Sequence, residues 1–96
     1  MLVLITYDVS TVTPAGRRRL RRVARACLDY GQRVQNSVFE CEVDPAQLAS
    51  LRARLLSEIE TDEDSLRFYR LGADGKRRVE HLGAKPSTDL DGPLLF

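Results

Sequence analysis

The chain has 96 residues, of which 43% are hydrophobic and 30% charged, and its formal net charge is +1. That length holds one domain with a small core, which hides about two thirds of the unfolded chain's surface, so association with a second copy would add stability. The composition excludes a largely disordered chain. No apolar run approaches the roughly 20 residues that span a bilayer, and the N-terminal apolar run lacks the basic flank of a signal peptide. A cytoplasmic protein with no membrane partner is expected.

The small net charge conceals a strong pattern. Residues 1–43 carry seven Arg against four acids, residues 44–64 carry two Arg against six acids, and residues 65–82 are basic again. Local basic patches of this kind point toward polyanions even where the total does not. Thirteen Arg stand against two Lys, which fits either a GC-rich coding sequence or a use for guanidinium forks, whose geometry matches phosphate oxygens. Cys27 and Cys41 lack C-x-x-C spacing and His81 is the single histidine. They encode neither a zinc site nor a disulfide framework, and both are expected as buried free thiols.

In chain order, residues 2–7 form an apolar strand that delivers Asp8 to its C-terminal end. Leu2 and Leu4 lie on one face and Val3, Ile5 and Tyr7 on the other, a pattern expected when both faces are covered. Thr13 reads as an N-cap and Pro14 as the first residue of a helix that Gly31 stops. At 100° per residue, Leu20, Val23, Ala24, Cys27 and Leu28 make one stripe, with Arg18, Arg21, Arg22 and Arg25 opposite. Arg17 lies at the border and is expected to lean back over the strand tip.

Residues 33–43 read as one continuous second strand, with room for a kink but not for a hairpin. On that parity Arg33, Gln35, Ser37 and Phe39 share a face, so they either line one groove or divide into a core Phe39 and three interface hydrogen bonders. Pro45 opens a second helix over residues 45–59 with Leu48, Leu51, Leu55 and Ile59 buried. An acidic loop over residues 60–64 is expected as solvated surface. Residues 66–71 form a third strand, Ala73-Asp74-Gly75 a turn, and residues 77–82 a fourth strand carrying a structural or exposed His81.

This gives the order β-α-β-α-β-β, one strand away from the β-α-β-β-α-β of a ferredoxin-like split βαβ fold. Two helices on one face of a sheet leave the other face open, and the two-sided first strand suggests that a second copy covers it in a C₂ dimer. The domain is assigned to residues 1–82. The tail 83–96, ending Pro93-Leu94-Leu95-Phe96, is expected either frayed or as a strand added to a sheet edge.

With these residues in hand, the chain resembles the small CRISPR-associated protein of the Cas-two family. The resemblance rests on Val3-Leu4-Ile5-Thr6-Tyr7-Asp8-Val9, on the Arg-rich helix ending Tyr30-Gly31, and on Arg33-Val34-Gln35-Asn36-Ser37-Val38-Phe39-Glu40. It implies an α+β, ferredoxin-like homodimer with its sheets face to face and a C-terminal strand added to the partner's sheet. It also implies a role in antiviral defence as the central dimer of an adaptation complex with the CRISPR integrase, as heterohexamer or heterotetramer. The activity it implies is a Mg²⁺-dependent endonuclease, with Mn²⁺ as a substitute, acting on single-stranded RNA or double-stranded DNA. The alternative is a nucleic-acid scaffold in which Asp8 has no catalytic task. A third reading, a single-strand binder of the RRM type, finds only Leu66-Arg67-Phe68-Tyr69-Arg70 to match that module's aromatic run.

On the nuclease reading Asp8 is the metal ligand and catalytic residue. Mg²⁺ is commonly held by one or two carboxylates with waters and substrate phosphates, so a symmetric interface bringing two Asp8 residues together would complete the site. No His, Lys or second acid is placed by the sequence as a general base beside it. Arg17, Arg18, Arg33 and Ser37 are the expected nucleic-acid contacts, supported by Tyr7, Gln35 and Phe39.

Overall fold

A computed structural model of the chain describes residues 1–71 and 77–84. Seven elements follow one another: β1 (Leu2–Asp8), α1 (Pro14–Leu28), β2 (Gly31–Gln35), β3 (Val38–Glu42), α2 (Pro45–Glu58), β4 (Ser65–Leu71) and β5 (Arg77–Gly83). All five strands form one antiparallel sheet in the order β2-β3-β1-β4-β5. The first six elements therefore have the β-α-β-β-α-β order of the split βαβ unit, with β5 added beyond β4.

The largest departure from the sequence reading is the middle strand. Residues 31–42 fold as a hairpin, β2 against β3, with Asn36 and Ser37 at its turn and a register shift between Arg33 and Gln35. The expected single strand lacked room for a hairpin only if the loop needed more than two residues. Asn tolerates turn conformations without Gly, and starting β2 at Gly31 supplies the missing length. This removes the one-strand mismatch with the split βαβ order.

Both helices begin as their residues dictate. Thr13 Oγ1 accepts from the Gly16 N–H at 3.1 Å, with Pro14 in the first turn. Asp44 and Gln47 make a reciprocal capping box: Asp44 Oδ1 accepts from the Gln47 N–H at 2.7 Å and Gln47 Oε1 from the Asp44 N–H at 2.9 Å. Helix α2 buries Leu48, Leu51 and Leu55, with Ile59 at its C-cap. Helix α1 buries Gly16, Val23, Ala26 and Cys27. The buried face is turned from the expected stripe: Ala26 is fully buried, Leu20 and Ala24 are partly buried, and Leu28 is 54% exposed.

The core lies between the helices and one sheet face. Val3, Ile5 and Tyr7 of β1, Phe39 and Cys41 of β3, and Leu66 and Phe68 of β4 point into it. The alternate residues Leu2, Leu4 and Thr6 face away from the helices and are half-buried. Cys27 and Cys41 are buried free thiols as expected, and burial pushes the Cys27 pKa up to about 12. No helix among the described residues is long and apolar enough to cross a membrane. The turn Ala73-Asp74-Gly75 and residues 85–96, with the expected tail strand, lie outside the described residues.

Candidate functional site

Asp8 is the last residue of β1 and is exposed. Its ladder neighbour is Ser65, the first residue of β4, and one step back Thr6 pairs with Arg67. On the far side of β4, Arg67 pairs with His81 and Ser65 with Gly83. Because strand residues two apart share a face, Thr6, Asp8, Ser65, Arg67 and His81 all belong to the sheet face away from the helices. Thr6, Tyr7, Asp8, Ser65 and Arg67 line a polar cleft of about 140 Å³.

Tyr7 points the other way and anchors this strand end to the β2–β3 hairpin. Its N–H donates to the Ser37 carbonyl at 3.1 Å and its hydroxyl to the Asn36 carbonyl at 3.3 Å. Its ring stacks on Phe39 at 6.0 Å between centroids, and burial raises its pKa. Arg33, opposite Phe39 in the hairpin ladder, sets its guanidinium 5.1 Å from the centre of that ring, a cation–π contact. Tyr7, Arg33, Ser37 and Phe39 therefore do meet, but through cross-strand pairing. The continuous-strand parity is corrected, since the hairpin reverses the chain between Gln35 and Val38. Phe39 is core, and Gln35 is an exposed residue beside the turn.

The expected arginine pair divides. Arg17 bends over the loop that follows β1, donating from Nη1 to the Thr11 carbonyl at 3.1 Å. Arg18 instead joins Arg21, Arg22 and Arg25 along a groove of about 320 Å³ on the outer face of α1. There Arg22 approaches Glu58 at 3.9 Å.

Arg19 and Asp64 were missed by the sequence reading. Asp64, expected in a solvated acidic loop, is fully buried. Its carboxylate accepts from Arg19 Nε at 2.8 Å, from the Ser10 N–H at 2.9 Å and from the Glu60 N–H at 2.9 Å. Burial alone would raise its pKa, but the Arg19 hydrogen bond and the two backbone donors outweigh burial and hold it below the usual carboxylate range. Three acids followed by a strand start, with an Arg run some 45 residues upstream, contain no signal that tells which carboxylate turns inward.

His81 has a buried Nε2 with no hydrogen-bond partner among the described residues. Burial, and then the nearby Arg67, lower its pKa, so at neutral pH the imidazole is uncharged. Among the described residues no group of three His, Cys, Asp or Glu side chains is placed to hold a metal ion. At the strand tip, Asp8 offers a hard cation one exposed carboxylate in a polar cleft. That donor suits Mg²⁺ chemically and in number falls at the low end of what Mg²⁺ uses.

Comparison with known proteins places this geometry. The family model for CRISPR-associated protein Cas2 matches residues 1–79. The CRISPR-associated endoribonuclease Cas2 of Nitratidesulfovibrio vulgaris is 65% identical over 96 residues, covering 100% of this chain and 94% of the relative. The CRISPR-associated endonuclease Cas2 of Halalkalibacterium halodurans is 64% identical over the full length of both. Among solved structures, Streptococcus pyogenes Cas2 superimposes with a TM-score of 0.71 at 62% identity, over 75% of this chain and 87% of that one. A strand-tip aspartate, an Arg-rich first helix and the Tyr7-Phe39-Arg33 cluster thus sit in a sequence matched almost from end to end, and the chain belongs to the CRISPR-associated Cas2 family.

Proposed function

We propose that the protein is a CRISPR adaptation subunit, a homodimer that binds nucleic acid and acts with the CRISPR integrase, and that it carries a Mg²⁺-dependent endonuclease activity centred on Asp8. The observation that carries the reading is the exposed carboxylate of Asp8 in the polar cleft with Ser65 and Arg67. Relatives at 64–65% identity that bear the names endoribonuclease and endonuclease support the activity. The dimer reading draws on the half-buried Leu2 and Leu4, which face away from the helices. A second copy laid against that face would cover them and bring a second Asp8 to the same interface.

In this reading Asp8 supplies the carboxylate that holds Mg²⁺. Bound there, the ion would lower the pKa of a water molecule and offset negative charge on the phosphoryl group. Arg67 adds positive charge beside the carboxylate, Arg33 is held over Phe39, and Arg17 stands over the following loop; these cations orient a phosphate backbone at the strand tip. His81 stands on the same sheet face, one strand beyond Arg67.

Purified protein incubated with single-stranded RNA and with duplex DNA should cleave at least one of them with Mg²⁺ or Mn²⁺ and neither with chelator. Binding without cleavage under any metal would sink the enzyme reading and leave the scaffold. Replacing Arg17 and Arg18 together by Ala should flatten the salt dependence of binding. The expected change is roughly 0.9 in the log–log slope for each duplex phosphate that is no longer neutralised, and about 0.7 on a single strand. An unchanged slope would make both arginines ordinary surface charge.

A further inference from the structure

Arg19 lies inside the arginine run of α1, yet its guanidinium is turned inward. Nε donates to Asp64 Oδ2 at 2.8 Å and Nη2 donates to Glu63 Oε2 at 3.0 Å. We infer that Arg19 and Asp64 are positioning residues for Asp8, acting through the short segment between β1 and α1; this rests on the role proposed above for Asp8.

Asp8 ends β1, and the backbone that carries it is gripped from both sides by this pair. Asp8 pairs with Ser65, which directly follows Asp64. Two residues beyond Asp8, the Ser10 N–H donates to Asp64 Oδ1 at 2.9 Å. The Ser10 carbonyl packs so closely on Gly16 that a Cβ there would collide with it. On the other side, the Asp64 carbonyl accepts the Ala84 N–H at 3.0 Å, and Gly83, at φ +117°, passes where a Cβ would strike that carbonyl. The buried Asp64 carboxylate thus ties the exit of β1 to Arg19 of α1 and to the Glu60 N–H before β4, while its main-chain carbonyl holds the exit of β5.

A buried ion pair is an inefficient way to gain stability, since well-packed apolar residues of similar volume often do as well or better. What it adds is a fixed geometry with directional hydrogen bonds. A metal-holding carboxylate needs its position fixed within about 0.5 Å, and residues that hold a ligand in place commonly change metal affinity by about 10- to 100-fold when replaced.

The test uses the full chain with three substitutions: Arg19→Gln, Asp8→Asn, and Arg52→Gln. The last breaks a more exposed pair of the same length, Arg52 with Glu80 at 2.8 Å, which joins α2 to β5. Amide hydrogen exchange is read without metal, and Mn²⁺ affinity by water-proton relaxation. Arg19→Gln should speed exchange at the Asp8 and Ser10 amides and weaken Mn²⁺ binding by about tenfold or more. Arg52→Gln should leave both within about twofold, and Arg19→Gln should add nothing to Mn²⁺ binding in the Asp8→Asn background. Unchanged exchange at Asp8 and Ser10, or equal Mn²⁺ affinity for Arg19→Gln and Arg52→Gln, would overturn the inference. Equal Mn²⁺ binding by wild type and Asp8→Asn would instead overturn the metal role of Asp8, and the exchange data alone would then decide whether the pair fixes this segment.

Discussion

Asp8→Asn should lower metal-dependent cleavage on the order of a hundredfold or more while leaving the fold untouched. A bound divalent ion is worth several kcal/mol of charge stabilisation in phosphoryl chemistry, and each 1.36 kcal/mol is a factor of ten in rate. Losing a carboxylate that held the ion would remove that contribution. The substitution is nearly isosteric and the residue is exposed at a strand end, so stability should change by no more than about 0.5 kcal/mol. Nucleic-acid binding measured without metal should hold or tighten slightly, because a negative charge beside Arg67 has gone. A variant that cleaves as fast as wild type would transfer the activity elsewhere or abolish the enzyme reading. A variant that loses cleavage and binding together would point to a misplaced strand tip.

The second large effect is on stability. Asp64→Ala should cost about 3 kcal/mol, because it strands the Ser10 and Glu60 N–H groups and leaves the Arg19 guanidinium half-buried without its charge partner. For a domain of this size that is a fall in Tm on the order of 15 °C. The effect depends on pH with a definite sign. The folded pKa of Asp64 lies below its ordinary value, so its contribution is fully present above the ordinary Asp value of about 3.9 and is lost as pH falls through the lowered folded value. The gap between wild type and Asp64→Ala in thermal unfolding should therefore be constant from neutral pH down to the ordinary carboxylate range and narrow below it. A gap that stays constant into strong acid would mean that Asp64 acts by packing alone. Asp29→Ala, which breaks an exposed pair with Arg54 at 2.7 Å, is the contrast: solvent screening leaves such a pair little weight in stability, so its thermal unfolding should stay close to wild type.

The contrast between Asp29 and Asp64 also marks where the sequence was readable. Helix starts were legible because their signals are local: Thr13-Pro14 and Asp44-Pro45 each combine a side-chain cap with a proline that cannot donate. The inward parity of Val3, Ile5 and Tyr7 was legible because β1 is regular over its whole length. The hairpin over residues 31–42 was hidden for the opposite reason. Its turn, Asn36-Ser37, has no Gly or Pro, and the register shift at Arg33 and Gln35 breaks the alternation on which a parity argument depends.

Asp8 could be singled out because a carboxylate ending an apolar strand is visible in one dimension. Its surroundings could not, since Ser65 and Arg67 reach it only through the pairing of β1 and β4. Arg19 shows the same limit most sharply. Among Arg17, Arg18 and Arg19 the helical angle separates one face from another, but only the position of Asp64 decides that the third turns inward while Arg17 caps the loop at Thr11 and Arg18 joins the outer groove.

The central claim, that Asp8 holds the metal of a phosphodiester-cleaving site, is tested most directly by anomalous diffraction from crystals of the protein grown with Mn²⁺. The expected result is an anomalous peak at about 2 Å from an Asp8 carboxylate oxygen, present in wild type and missing from Asp8→Asn. Cleavage-competent protein whose Mn²⁺ lies away from Asp8 would contradict it.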